Sequence, residues 1–228
     1  MEFIIESKKQ EAEGVVSLYI KKVDGQKLDF KAGQYLVVKP LGSDLKSKAF
    51  TISSAPSESL VCLTIKVKSG TSLAITNLNI GDKVAVNGPF GHFYPENNLE
   101  ELVMLAGGIG VTPFYSVIKD RLENITPGKI TLFYSNKNMP QTALFKELNK
   151  LSVDNDNFRV IYTFTQEKPT VDNFEFGRIN IKFLKKYLSK LNNKKYYLCG
   201  SIQFTNDMWK ILKDASVEES SIFTEAMY

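Results

Sequence analysis

Histidine and tryptophan each occur once in these 228 residues, and cysteine only twice. A single histidine, His92, cannot build a histidine metal site, so no metal is expected. Cys62 and Cys199 are too few for a disulfide framework or a four-cysteine iron–sulfur centre. No apolar run is long enough to span a bilayer, and the opening MEFIIESKKQ lacks the apolar stretch of a signal peptide. The expectation is therefore a cytoplasmic chain with no membrane contact. An arginine-rich stripe is missing as well. The 29 basic and 25 acidic residues are dispersed and leave a net charge of +4, which argues against a nucleic-acid partner.

What is present reads as a soluble globular protein, 43% hydrophobic and 24% charged, long enough for one large or two small domains. Up to about residue 90, six short runs rich in Val, Ile, Leu, Thr and Tyr are separated by turn residues: EFIIESKKQ, VVSLYIKKV, QYLVVKP, KAFTISS, LVCLTIKVK and DKVAVNG. That spacing predicts an antiparallel barrel or sandwich. Beyond YPENNLEE the rhythm changes, and apolar runs alternate with helical patterns, as in LVMLAGG followed by PFYSVIKDRLE. This is the pattern of a parallel sheet with crossover helices. The predicted division is 1–97 for the β domain and 98–228 for the α/β domain. The lysine-rich KFLKKYLSKLNNKK (182–195) reads as the solvated face of an amphipathic helix.

Two short stretches carry candidate chemistry. In LAGGIGVTPF (105–114), a strand runs into a helix through Gly107, Gly108 and Gly110. Glycines there permit a tight turn and close approach of a ligand, and helix-terminal N–H groups favour a phosphate. Thr112 can cap the helix and Pro113 suits its first turn. The spacing is GGxG rather than the dinucleotide fingerprint GxGxxG, and helix packing alone also explains such glycines. In KAFTISSAP (48–56), pleating puts Lys48 and Phe50 on one face and Thr51 on the other. Read by itself, it is a half-buried strand with a surface lysine.

Taken in order, FKAGQYL, KAFTISSAP, GTSLAITNLNIGDKVAVNGPFGHFY, LAGGIGVTPF, LFYSNK, YYLCGS and the closing FTEAMY resemble the motifs of the ferredoxin–NADP reductase family. The resemblance covers nearly the whole chain. It implies an FAD-binding antiparallel six-stranded barrel followed by an NAD(P)-binding parallel-sheet α/β domain. Lys48 would meet the flavin phosphate, Phe50 would stack on the isoalloxazine and Thr51 would hydrogen-bond near N5, with Ala49 between them on the same strand. Lysine stands where the family prefers arginine, a point charge in place of a fork. Gly70, Thr71 and Ser72 would hold the pyrophosphate, and a helix cap is the ordinary alternative. Tyr228 would cover the exposed flavin face.

For the nicotinamide dinucleotide, the resemblance implies Gly107, Gly108, Gly110, Thr112 and Pro113, with Ser135, Lys137 and Gln166 at the following strand ends and Cys199 and Gly200 beside the nicotinamide. A buried strand cysteine is the plain alternative for Cys199. Ser201 replaces the proline that usually follows Cys-Gly. Thr51, Cys199 and Glu225 are the candidate catalytic residues. Glu167 would repel a 2′-phosphate whereas Lys137 and Lys168 would attract one, and the balance leans to NADH over NADPH.

The expected activity is hydride transfer from NAD(P)H to FAD. Electrons then pass to a separate acceptor: ferredoxin, flavodoxin, an oxygenase component or a small molecule. A monomer is expected. A free-flavin reductase and a non-catalytic nucleotide-binding regulatory module stand as alternatives.

Overall fold

Strand alternation shapes the first half directly. In β3 (Tyr35–Pro40) every second residue is buried, and Leu36 and Val38 are fully enclosed. The structure, a computed structural model, describes residues 1–95, 101–124, 128–168 and 174–227. By internal packing the chain divides into one unit of Met1–Tyr94 with Thr112–Asp120 and another of Pro95–Val111 with Arg121–Tyr228. The expected boundary at 97/98 falls outside the described residues.

The first unit holds β1 (Glu2–Ala12), β2 (Val15–Lys22), β3, β4 (Lys48–Thr51), β5 (Val61–Lys66) and β6 (Lys83–Phe90), the six strands expected from the sequence. They form one antiparallel sheet in the order β4-β3-β6-β1-β2-β5, and the bridge from Ile52 to Leu63 joins its two ends. Phe3, Ile5, Leu18, Ile20, Leu36, Val38, Leu63 and Ile65 fill the interior. Burying each such side chain contributes about 1.5–3 kcal/mol.

β5 does not alternate, since all its residues from Val61 to Ile65 are buried. Its one hydroxyl, that of Thr64, is engaged by serines outside the strand. Thr64 Oγ1 lies 2.8 Å from Ser17 Oγ and 2.9 Å from Ser53 Oγ. The middle of helix α2 (Val111–Glu123) belongs to this unit, where Ser116 Oγ donates to the Ser54 carbonyl (2.6 Å) and Lys119 pairs with Glu58. A short helix, α1 (Thr71–Asn77), lies between β5 and β6 in sequence.

The second unit holds β7 (Leu102–Gly107), β8 (Ile130–Asn136), β9 (Phe158–Phe164), β10 (Phe174–Phe176), β11 (Lys195–Gly200) and β12 (Ile222–Ala226). All are parallel, in the order β10-β9-β8-β7-β11-β12. β7 is buried over five consecutive residues, as a strand covered on both faces must be. The helices α3 (Phe145–Asp154), α4 (Ile181–Tyr187) and α5 (Ile202–Asp214) follow β8, β10 and β11 in the chain. No helix of the described residues is long and apolar enough to cross a membrane.

Two features differ from the sequence expectation. The lysine-rich helix stops at Tyr187 and does not run on to 195. Leu188 is extended, and both it and Leu191 turn into the core, 3% and 9% exposed. Burying two leucines outweighs another helical turn of lysines. The closing FTEAMY is also an ordered strand for most of its length, adding β12 beside β11.

Candidate cofactor sites

In the first unit, β4 carries the proposed flavin residues. Lys48 is half-buried, Ala49 exposed, and Phe50 and Thr51 are each 8% exposed. Phe50 lies opposite Leu36 and belongs to the barrel core, which leaves little of its ring for a ligand. Thr51 lies opposite Tyr35, itself half-buried and 5.9 Å from the Phe90 ring. Tyr35 is the accessible aromatic neighbour of Thr51. The sequence reading passed over it because β-strand aromatics are too common to single out.

Lys46 and Lys48 make no ion pair among the described residues. The hydroxyl of Thr71 donates to the Lys46 carbonyl (2.6 Å) and so ties the Lys46–Lys48 stretch to the start of α1. Ser72 Oγ donates to the Ser69 carbonyl and accepts from Lys68 N, both at 3.1 Å. Gly70, at φ +58°, caps α1 without a side chain. Both hydroxyls expected at a pyrophosphate are therefore engaged within the protein. Tyr228 lies outside the described residues.

In the second unit, the three glycines of the turn after β7 have three different physical reasons. A Cβ on Gly107 would meet the Phe204 ring at 2.8 Å, and one on Gly200 would meet the same ring at 2.7 Å. Both glycines make room for Phe204, a residue the sequence reading did not single out. Gly110 lies against β11, where a Cβ would come within 2.3 Å of the Cys199 carbonyl oxygen. Gly108 has φ +54° and open space where a Cβ would project. It alone of the three leaves room for a ligand.

The chain turns helical at once, with a 3-10 turn over Gly108–Gly110 that runs into α2. Thr112 therefore lies inside the helix and does not cap it, while Pro113 keeps its expected place in the first turn. Both are buried. Ser201, in place of the family's proline, caps α5 by accepting from Phe204 N (3.3 Å).

The remaining nucleotide candidates gather at the carboxyl ends of these strands, the edge at which open parallel sheets bind ligands. Ser135 is opposite Gly107 and Thr163. The following turns are joined, since Gln166 N donates to the Lys137 carbonyl (2.9 Å) and Thr165 N to the Asn136 carbonyl (3.0 Å). Glu167 is held there too, accepting from Met139 N (3.1 Å).

Cys199, fully buried, lies beside Ala106 on one side and Glu225 on the other. Burial raises the Cys199 thiol pKa well above its usual value, and the Glu225 carboxyl adds to that rise. Burial likewise raises the Glu225 pKa. Its Oε2 is buried with no hydrogen-bond partner among the described residues. Among those residues no cluster of His, Cys, Asp and Glu is arranged to hold a metal.

Comparison with known proteins matches residues 2–94 to the oxidoreductase FAD-binding domain and residues 104–210 to the oxidoreductase NAD-binding domain. The flavohemoprotein of Bacillus subtilis is 27% identical over 236 residues, covering 98% of this chain. A component of the Na(+)-translocating NADH-quinone reductase of Serratia proteamaculans is 30% identical over 157 residues, covering 66% of this chain. The chain spans 58% of the first relative's length and 38% of the second's.

Among solved structures, the flavohem-like FAD/NAD-binding domain of nitric oxide dioxygenase from Vibrio cholerae superposes with a TM-score of 0.90. It is 21% identical, over 99% of this chain and 98% of that one. The two domain matches follow one another along nearly the whole sequence, in the order that its motifs require. The chain belongs to the ferredoxin–NADP reductase family of FAD-dependent NAD(P)H oxidoreductases.

Proposed function

We propose that this chain binds FAD on its barrel unit and a nicotinamide dinucleotide, NADH in preference to NADPH, at the carboxyl edge of its parallel sheet. Electrons leave to a separate acceptor of the ferredoxin, flavodoxin or oxygenase-component kind, or to a small molecule. The reading includes a cytoplasmic monomer, with the units working as the 1–97 and 98–228 domains. The observation that carries it is the carboxyl edge itself, where an open glycine turn, a buried thiol and an orphaned carboxyl oxygen lie on adjoining strands.

The residues fit the two cofactors. Lys48 and Lys46, without an ion pair among the described residues, supply positive charge for a flavin phosphate, and the backbone N–H groups after Gly70 supply donors. Thr51 offers a hydroxyl and Tyr35 an aromatic face beside it. Gly108 leaves space for a dinucleotide backbone. Bound there, FAD would supply the hydride-accepting and one-electron chemistry that the protein side chains lack.

The chain's own work is to position and to exclude water, since hydride transfer requires little acid–base chemistry. Cys199 forms a neutral, compact wall, and Glu225 in its neutral form is a hydrogen-bond donor at the same edge. Glu167 opposes a 2′-phosphate, and the relative from Serratia is part of an NADH-quinone reductase.

A second reading, a free-flavin reductase, is favoured by one observation. The Thr71 and Ser72 hydroxyls are engaged within the protein and leave the pyrophosphate fewer side-chain donors. Titration with FAD separates the two readings. Retention of FAD through gel filtration supports a held cofactor, and release supports flavin as substrate. Lys48→Ala weakens FAD binding by about 1.5–3 kcal/mol, the range for a charged hydrogen bond. An unchanged affinity removes Lys48 from the site.

A further inference from the structure

The parallel sheet has a second candidate site at its other end. A cleft of about 400 Å³ opens at the amino-terminal edge, where Ile130 begins β8 and Phe158 begins β9, walled by the turn at Tyr187–Ser189. The six residues of β7 separate this edge from the glycine turn, a distance of about 20 Å. A volume of that order suits a small molecule.

Arg159 is the central observation. Its Nε donates to Thr131 Oγ1 (3.0 Å) and its Nη2 to the Tyr187 carbonyl (2.6 Å), so two different elements fix the plane of the guanidinium. Both acceptors are neutral, and no carboxylate pairs with Arg159 among the described residues. A guanidinium has five N–H groups, which leaves donors already oriented for an anion.

Lys129, on the same cleft, makes no ion pair among the described residues, whereas Lys194 is neutralised by Glu101. Asp156 is the acidic lining residue that remains, so the unpaired charges are two cations to one anion. The surrounding field has the same sign. The stretch from Gly177 to Leu198, which supplies the Tyr187–Ser189 wall, contains seven Lys and Arg and no Asp or Glu; Lys186 pairs with Glu175 and Lys194 with Glu101, which leaves five. Buried Phe158 and Ile130 give the cleft an apolar floor.

We propose that this cleft binds the phosphate or carboxylate group of a small metabolite, gripped by Arg159 and Lys129, at a site separate from the dinucleotide edge. The test follows backbone amide resonances of the protein in excess FAD and NAD⁺, with inorganic phosphate added in one arm and citrate in the other at constant ionic strength. The amides of Thr131, Arg159 and Ser189 shift saturably with at least one anion. The responding arm names the ligand class.

Arg159→Gln and Lys129→Gln each weaken that response by about tenfold, the loss expected for a charged hydrogen bond. The Lys129 side chain makes no ion pair among the described residues, and its carbonyl, which accepts from Leu102 N, is kept in the variant, so Lys129→Gln keeps the test valid if Arg159→Gln misfolds. Absence of a saturable shift at these amides with either anion, or a response that survives Lys129→Gln unchanged, overturns the proposal. The readout is residue-specific and stands apart from whether the dinucleotide reading holds.

Discussion

Cys199 and Glu225 are side by side on the parallel strands β11 and β12, and the Glu225 Oε2 is buried without a hydrogen-bond partner among the described residues. A carboxyl in that setting prefers its proton, because desolvation penalises the anion.

The consequence for stability has a definite sign. The Glu225 pKa is raised in the folded chain, so its stabilising contribution is complete below the ordinary carboxyl pKa and is lost as pH rises through the folded value. Glu225→Gln removes that descent. Melts followed from acid to neutral pH should show the variant gaining on the parent as pH rises, while reduction by NADH slows and FAD affinity holds. Parallel melting profiles would contradict the assignment.

The glycine turn makes a second prediction. Gly110→Ala places a Cβ within 2.3 Å of a backbone carbonyl that cannot move without disturbing β11. A loss of about 3 kcal/mol or more is expected in denaturant unfolding. Gly108→Ala meets no atom and suffers only the cost of its left-handed φ, about 1–2 kcal/mol. Equal losses at the two positions would show that conformation, and not the approach to Cys199, sets the requirement.

The proposed preference for NADH rests on Glu167, which accepts from Met139 N near Lys137 at the strand ends. Glu167→Gln should raise the NADPH/NADH ratio of kcat/KM about tenfold, equivalent to about 1.4 kcal/mol. Lys137→Ala should lower it. An unmoved ratio in the Gln variant would place the 2′-group elsewhere.

The barrel strands and the parallel strands β7, β8, β9 and β11 were legible because period-2 alternation and uninterrupted apolar runs are direct signatures of half-covered and fully covered strands. The end of α4 was not, since the lysine pattern continues past Tyr187 and only the burial of Leu188 and Leu191 stops the helix. The site was legible as residue types more than as reasons. The sequence marked Gly107, Gly110 and Gly200 for ligand approach, whereas Phe204 and the Cys199 carbonyl demand them. Tyr35 escaped notice because its pairing with Thr51 depends on the β3–β4 register, which no local motif encodes.

The most direct test of electron flow is anaerobic. The purified chain is mixed with FAD and then with NADH, and the absorbance of oxidised flavin is followed. The account predicts that this band bleaches, faster with NADH than with NADPH. Flavin that stays oxidised with both nucleotides, with FAD in excess, would contradict it.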